Sequence, residues 1–176
     1  MKKTDLEKLL KLQESRLHTL FEITIHPELS LADQFRAALK VGAESLSVKI
    51  GVLSHIVGED YTILYIYDGT NHGPHEGDKF QLAQTYCDMT VKKNDVVAIS
   101  KMSASPYKAK ACFKIFKLES YIGVPIMVDG ELFGTLAFLT PEPHDHPGFK
   151  GSDEDFVRIM GKWISSRLEH ERVCKK

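Results

Sequence analysis

Apolar residues recur at steps of three and four through the first 26 positions. Leu6, Leu10, Leu17 and Leu20 fall on one stripe, Leu9, Leu12 and Phe21 widen it, and Gln13 interrupts it. That spacing predicts an amphipathic helix over 1–26 with Lys and Glu toward solvent. A second helix is expected from Ser30, which can cap the amide of Asp33. Pro27 precedes it, and Leu31, Phe35, Ala38, Leu39, Gly42 and Leu46 form its buried face. Near residue 49 the pattern changes to runs rich in β-branched and aromatic residues. Residues 50–57 and 61–67, either side of Gly58-Glu59-Asp60, predict a hairpin. A polar loop follows over 68–79. Residues 80–91 read as extended and then a short helix, and 96–100 as a short strand.

Ser105-Pro106 predicts a helix start, with Lys110, Lys114 and Lys117 on one face and Ala109, Cys112, Phe113 and Phe116 on the other. Residues 121–128 and 131–139 flank Asp129-Gly130, a dipeptide suited to a two-residue hairpin turn. Pro125 cannot donate to a ladder, which puts its stretch at an edge or a bulge. Ser152-Asp153-Glu154-Asp155 opens a last helix over 152–172. Phe156, Ile159, Met160, Trp163, Ile164 and Leu168 stripe it, and Arg167, Arg172, Lys175 and Lys176 lie toward its end. The order of elements describes an α+β fold, an antiparallel sheet with helices on its faces.

Composition narrows the function classes. At 176 residues the chain has room for one domain with extensions: a helix over 1–26, a domain over 27–170 and a tail over 173–176. Its 43% apolar content supports a packed core, and 23 basic against 24 acidic residues leave no global field for nucleic acid or a membrane surface. No apolar run is long enough to span a bilayer, and the basic start lacks the apolar stretch of a secretion signal. Three cysteines, an odd number without paired spacing, fit a reducing cytoplasm.

The run Ser120-Tyr121-Ile122-Gly123-Val124-Pro125-Ile126-Met127-Val128-Asp129-Gly130-Glu131-Leu132-Phe133-Gly134-Thr135-Leu136 resembles the signature hairpin of the GAF domain family, relatives of PAS domains. Gln84-Thr85-Tyr86-Cys87, and 149–153 before a long amphipathic helix, agree with it over roughly residues 20–170. The resemblance implies a six-stranded antiparallel sheet with a small-molecule pocket on one face. On the other face it implies terminal helices packed together, often as a homodimer bundle. It further implies a regulatory, non-enzymatic role; with no output domain following, a partner acting in trans is expected.

Within the family, several ligand classes can be weighed on residues. Phe149-Lys150-Gly151-Ser152-Asp153-Glu154 matches half of the cyclic-nucleotide pattern, and Thr140-Pro141-Glu142-Pro143 replaces the Asn-Lys half. Cys112 sits in the helix where bilin-binding members attach chromophore, but Phe113 follows it instead of His. Free methionine sulfoxide reductases, lone GAF domains, need a low-pKa thiolate and a resolving thiol. Cys87 and Cys112 are the pair to test for that alternative, since Cys174 lies in the tail. His144-Asp145-His146, His72 and His75 lack metal-ligand spacing, so no metal or other cofactor is expected.

Seven lysines over 92–118 offer either a basic lip for an anion or a solvated face. The expected pocket walls are the sheet and the helix near 105–117. The candidate ligand-binding residues are Tyr65, Tyr67, Phe80, Tyr86, Cys87, Tyr107, Phe113, Tyr121 and Phe138, because aromatics supply apolar walls and tyrosine hydroxyls orient polar ligands. The competing expectation is a ligand-free dimerisation module with Leu6, Leu10, Leu17, Leu20, Trp163 and Ile164 as its seam.

Overall fold

The computed structural model describes residues 3–25, 28–144 and 148–174, so Pro27, Asp145, His146, Lys175 and Lys176 lie outside the described residues. Helix α1 (Lys3–Ile25) is followed by α2 (Leu31–Ser45), which Ser30 caps by accepting the Asp33 N–H at 3.1 Å. Strands β1 (Ile50–Val57) and β2 (Asp60–Asp68) form the first hairpin, and β3 (Lys79–Gln81) continues from β2. Helix α3 (Cys87–Lys93), strand β4 (Val97–Ile99) and helix α4 (Ala111–Phe116) come next. Strands β5 (Ser120–Val128) and β6 (Glu131–Thr140) form the second hairpin, and α5 (Gly151–Cys174) ends the fold. The sheet runs β3-β2-β1-β6-β5-β4 with every pairing antiparallel.

Turn chemistry sets the registers. Asp129 and Gly130 both take positive φ, 54° and 82°, as a type I′ turn requires. Pro125 pairs with Thr135 on one side only. It lies past the short β4, which pairs with Tyr121, Ile122 and Gly123, and a register shift follows it between Ile126 and Met127.

Two helix expectations are corrected. The Ser105 hydroxyl donates to the Met102 carbonyl and accepts the Tyr107 N–H, which closes local turns. The helix therefore starts only at Ala111; Lys110 precedes it and Lys117, at φ 56°, ends it, so of those three lysines only Lys114 is helical. Helix α5 starts at Gly151, before Ser152, and its cap runs backwards: the Asp153 carboxylate accepts the Lys150 N–H at 2.9 Å.

The sheet divides the interior into two cores. On one face α1, α2 and α5 cover Leu53, Ile122, Val124, Ile126, Leu136 and Phe138. On the other, α3, α4 and the connecting loops cover Ile50, Val52, Tyr61, Ile63, Tyr121, Ala137 and Leu139. A sheet buried on both faces needs apolar residues at every position, which is why β5 and β6 lack alternation. Gly42 in α2 lets the Phe138 ring come so close that a Cβ there would sit 2.3 Å from it.

Helix α1 presents to the body a face offset from its most apolar stripe. Arg16, Leu20 and Ile23 are buried, whereas Leu6, Leu10, Leu17 and Phe21 are 43–59% exposed. Arg16 is the tether: it donates to Asp153 and to the Ser45 carbonyl, both at 2.9 Å, and its guanidinium lies 4.6 Å from the Phe156 ring centre. The terminal helices thus pack together where α1 meets the start of α5.

Candidate functional site

A cavity of about 70 Å³ lies on the α3/α4 face of the sheet. Ile50 and Val52 of β1, Tyr61 and Ile63 of β2 and Leu139 of β6 form its floor. Thr85, Tyr86 and Cys87, at the entry to α3, form a second wall. Half-buried Pro74, Phe80, Phe116 and Leu118 complete it on the outer side.

Local bonding explains why these segments close over the sheet. The Tyr86 hydroxyl donates to the Leu118 carbonyl at 2.8 Å and accepts the Leu118 N–H at 3.0 Å, so one side chain holds the segment after α4 as a strand would. Asp88, buried one residue beyond Cys87, pairs with Lys92 at 2.9 Å and with Lys110 at 3.0 Å, which fixes the approach to α4. Burial works to raise the Asp88 carboxyl, but the two ammonium groups prevail and hold it below its usual value. On the loop after β2, Asp68 accepts the N–H groups of Thr70 and Gly73, each at 2.8 Å, and this brings Pro74 to the cavity.

Beneath the cavity lies a buried cluster of uncharged polar groups. The Cys87 thiol donates to the Tyr61 hydroxyl at 3.7 Å, the Thr90 and Tyr121 hydroxyls are 2.5 Å apart, and Ser54 and Thr135 hydroxyls 2.8 Å. Burial pushes the Cys87 thiol up, partly opposed by hydrogen bonding with Thr135 and Tyr61, and burial raises Cys112 as well. Thiols shifted this way are poor nucleophiles. Among the described residues no three His, Cys, Asp or Glu side chains are grouped to hold a metal, and no helix is long and apolar enough to cross a membrane.

Of the residues singled out from sequence, Phe80, Tyr86 and Cys87 line the cavity. Tyr121 is buried on the same face and stacks on Tyr86 at 5.7 Å, behind the wall. Phe113 and Cys112 pack in the same core without reaching the cavity, and Tyr107 is exposed. Tyr65, Tyr67 and Phe138 belong to the opposite core. For the two tyrosines the cause is a bulge: Leu53 pairs with Tyr65 but Ser54 with Ile63, so Leu64 is extra and the strand's facing inverts. Ile50, Val52, Tyr61, Ile63, Pro74, Thr85, Phe116, Leu118 and Leu139 were missed. Tyr61 and Ile63 share the parity of Tyr65 and Tyr67, which was the available signal. The anticipated basic lip does not line the cavity: Lys92 and Lys110 are engaged by Asp88, and Lys93 donates to the Val96 carbonyl.

A second depression, of about 230 Å³, lies past the end of β4 over Val124, Pro125 and Met127. Arg158 and Asp95 on its rim pair at 3.2 Å.

Solved structures match this fold at low identity. The GAF domain of a phosphoenolpyruvate-protein phosphotransferase from Acinetobacter superposes with a TM-score of 0.71 at 19% identity, covering 92% of this chain and 97% of that one. The free methionine-R-sulfoxide reductase of Neisseria meningitidis, solved with its substrate, gives 0.72 at 15%, covering 95% and 93%. The phycocyanobilin-bound GAF domain of a cyanobacterial phytochrome gives 0.72 at 15%, covering 90% and 96%. No curated protein sequence matches. The family model for the GAF domain matches residues 33–168, from the first turn of α2 through most of α5, and the chain belongs to the GAF domain family.

Proposed function

We propose that this protein is a non-enzymatic regulatory GAF domain that binds a small molecule between the sheet and α4 and signals to a partner protein through its terminal helices as a homodimer. The observation that carries the reading is the cavity on the α3/α4 face, walled by short, loop-connected segments that a ligand can displace. Segments held by a few side-chain bonds, such as Leu118 on Tyr86, open at lower cost than the strands below them. The exposed Leu6, Leu10, Leu17 and Phe21 stripe supports self-association through α1. Two buried thiols with raised pKa weigh for binding over thiol chemistry. Three free cysteines are in keeping with a cytoplasmic setting.

Native mass spectrometry of protein isolated from its own host, followed by a thermal-shift screen of metabolites, tests the ligand. A retained small molecule, or a compound present at 100 times its Kd that stabilises by about 2.7 kcal/mol, is expected. A bare mass together with no stabilising compound would overturn the reading.

A further inference from the structure

We propose that the cavity takes a small, uncharged, apolar molecule no larger than benzene; this rests on the cavity being the ligand site proposed above. The size limit follows from volume. About 70 Å³ is available, roughly half of the ~150 Å³ apolar cavity known to admit benzene, so a ring of that size enters only with slight outward movement of the half-buried rim.

The chemical class follows from what the lining offers. No charged side chain lines the cavity, and the polar side-chain atoms of the lining residues are already engaged within the chain. The Thr85 hydroxyl donates to the Leu82 carbonyl at 2.8 Å. The Tyr86 hydroxyl is occupied as both donor and acceptor by Leu118. The Cys87 thiol and Tyr61 hydroxyl are bonded to each other. A carboxylate, phosphate or ammonium entering here would shed its water and meet no counter-charge, and a neutral polar group would face a wall that is almost wholly apolar. Water fares no better, because a stable buried water needs two to four polar contacts.

An apolar guest loses nothing and fills space that leaves the wall atoms without dispersion partners. The aromatic wall suits it: Phe80 meets Phe116 edge-on at 5.6 Å and lies tilted to Tyr61 at 6.3 Å, so a compact guest touches ring faces and edges. Lys117, between Phe116 and Leu118, lies 5.8 Å from the Phe113 ring centre, and Lys92 and Lys110 share the Asp88 carboxylate; none of the three lines the cavity.

The test is methyl NMR on the full chain, first under xenon pressure, then with benzene, then with 2-oxoglutarate, cyclic GMP and free methionine sulfoxide as polar probes. Xenon and benzene are expected to shift the methyls of Ile50, Ile63, Leu118 and Leu139, and the polar probes to leave them in place. Val52→Ile, which extends one methylene into the cavity, should cut the xenon shifts about twofold or more by removing free volume. Leu118→Phe does the same from the rim if Val52→Ile fails to fold. Polar probes that move these methyls or displace xenon would overturn the apolar class while keeping a ligand site. If no probe of either kind moves them, the cavity is a packing void and both readings fall.

Discussion

Asp88 shows how one residue joins the cavity wall to its cover. It sits in the first turn of α3, 4% exposed, and its two lysines come from different places, Lys92 one helical turn on and Lys110 just ahead of α4. Lys92 is largely in water, where an ion pair contributes under about 1 kcal/mol, so Lys110 carries most of the effect. Asp88→Asn should cost about 1–3 kcal/mol at pH 7. Lys110→Met should reproduce most of that loss and Lys92→Met little of it. The pH dependence has a definite sign. A carboxyl held below its usual 3.8 in the folded state stabilises fully above that value, and the gain is lost as pH falls through the folded pKa. Urea midpoints of wild type and Asp88→Asn should therefore differ by a constant amount near neutrality and converge below about pH 3.8. A gap that does not narrow as pH falls below that value would show that the aspartate acts through packing instead of charge.

At the scale of elements, the two ends of α4 are fixed unequally. Its start is held by the Lys110 pair and its end by one phenol that mimics a strand partner for Leu118. Tyr86→Phe keeps the ring and removes both bonds, so a loss of about 1–3 kcal/mol is expected, with faster amide exchange along α4 and unchanged exchange in β1 and β6. Global acceleration would assign Tyr86 to the core instead of to the cover. Gly134→Ala tests the sheet. Its Cβ would lie within 2 Å of the Ser54 carbonyl, about 1.8 Å, so β6 cannot stay against β1, and soluble yield is expected to collapse.

These elements also mark what the sequence could tell. Both hairpins were legible because Gly58 and Asp129-Gly130 are residues that specific turns demand, and the Ser30 cap was legible for the same reason. The bulge at Leu64 was not, since nothing about a leucine between Ile63 and Tyr65 announces an unpaired residue, and that one insertion turns Tyr65 and Tyr67 to the face opposite the cavity. The facing of Phe138, toward α1, α2 and α5, was not legible either, because Leu136, Ala137, Phe138 and Leu139 are all apolar and alternation gives no facing. The short α4 escaped because Ser105 looks like a helix cap but spends its hydroxyl on turns.

Over the whole molecule the sheet acts as a partition, with the cavity on one side and α1, α2 and α5 on the other. The loop after β2 crosses its edge: Pro74 lines the cavity, while two residues on Glu76 is clasped by Arg36 of α2 at 2.7 and 2.8 Å. In the proposed function that ion pair is the link by which movement of the loop would reach the helical layer, and the exposed apolar stripe of α1 is where the layer would meet a second copy. Leu6, Leu10, Leu17 and Phe21 lie beside the inward line of Arg16, Leu20 and Ile23, so they can meet a second copy without unpacking the first. Leu20 and Ile164 are spent inside the chain's own core and Trp163 packs edge-on against Phe35 at 5.9 Å, which leaves the seam to α1. Leu10→Glu with Leu17→Glu should convert a dimeric mass to a monomeric one by light scattering. Folding stability measured at a concentration where both are monomers should change by no more than about 0.5 kcal/mol, as for surface substitutions. A wild type that scatters as a monomer at micromolar concentration would remove the dimer from the proposed function. A double variant that stays dimeric would move the seam off α1.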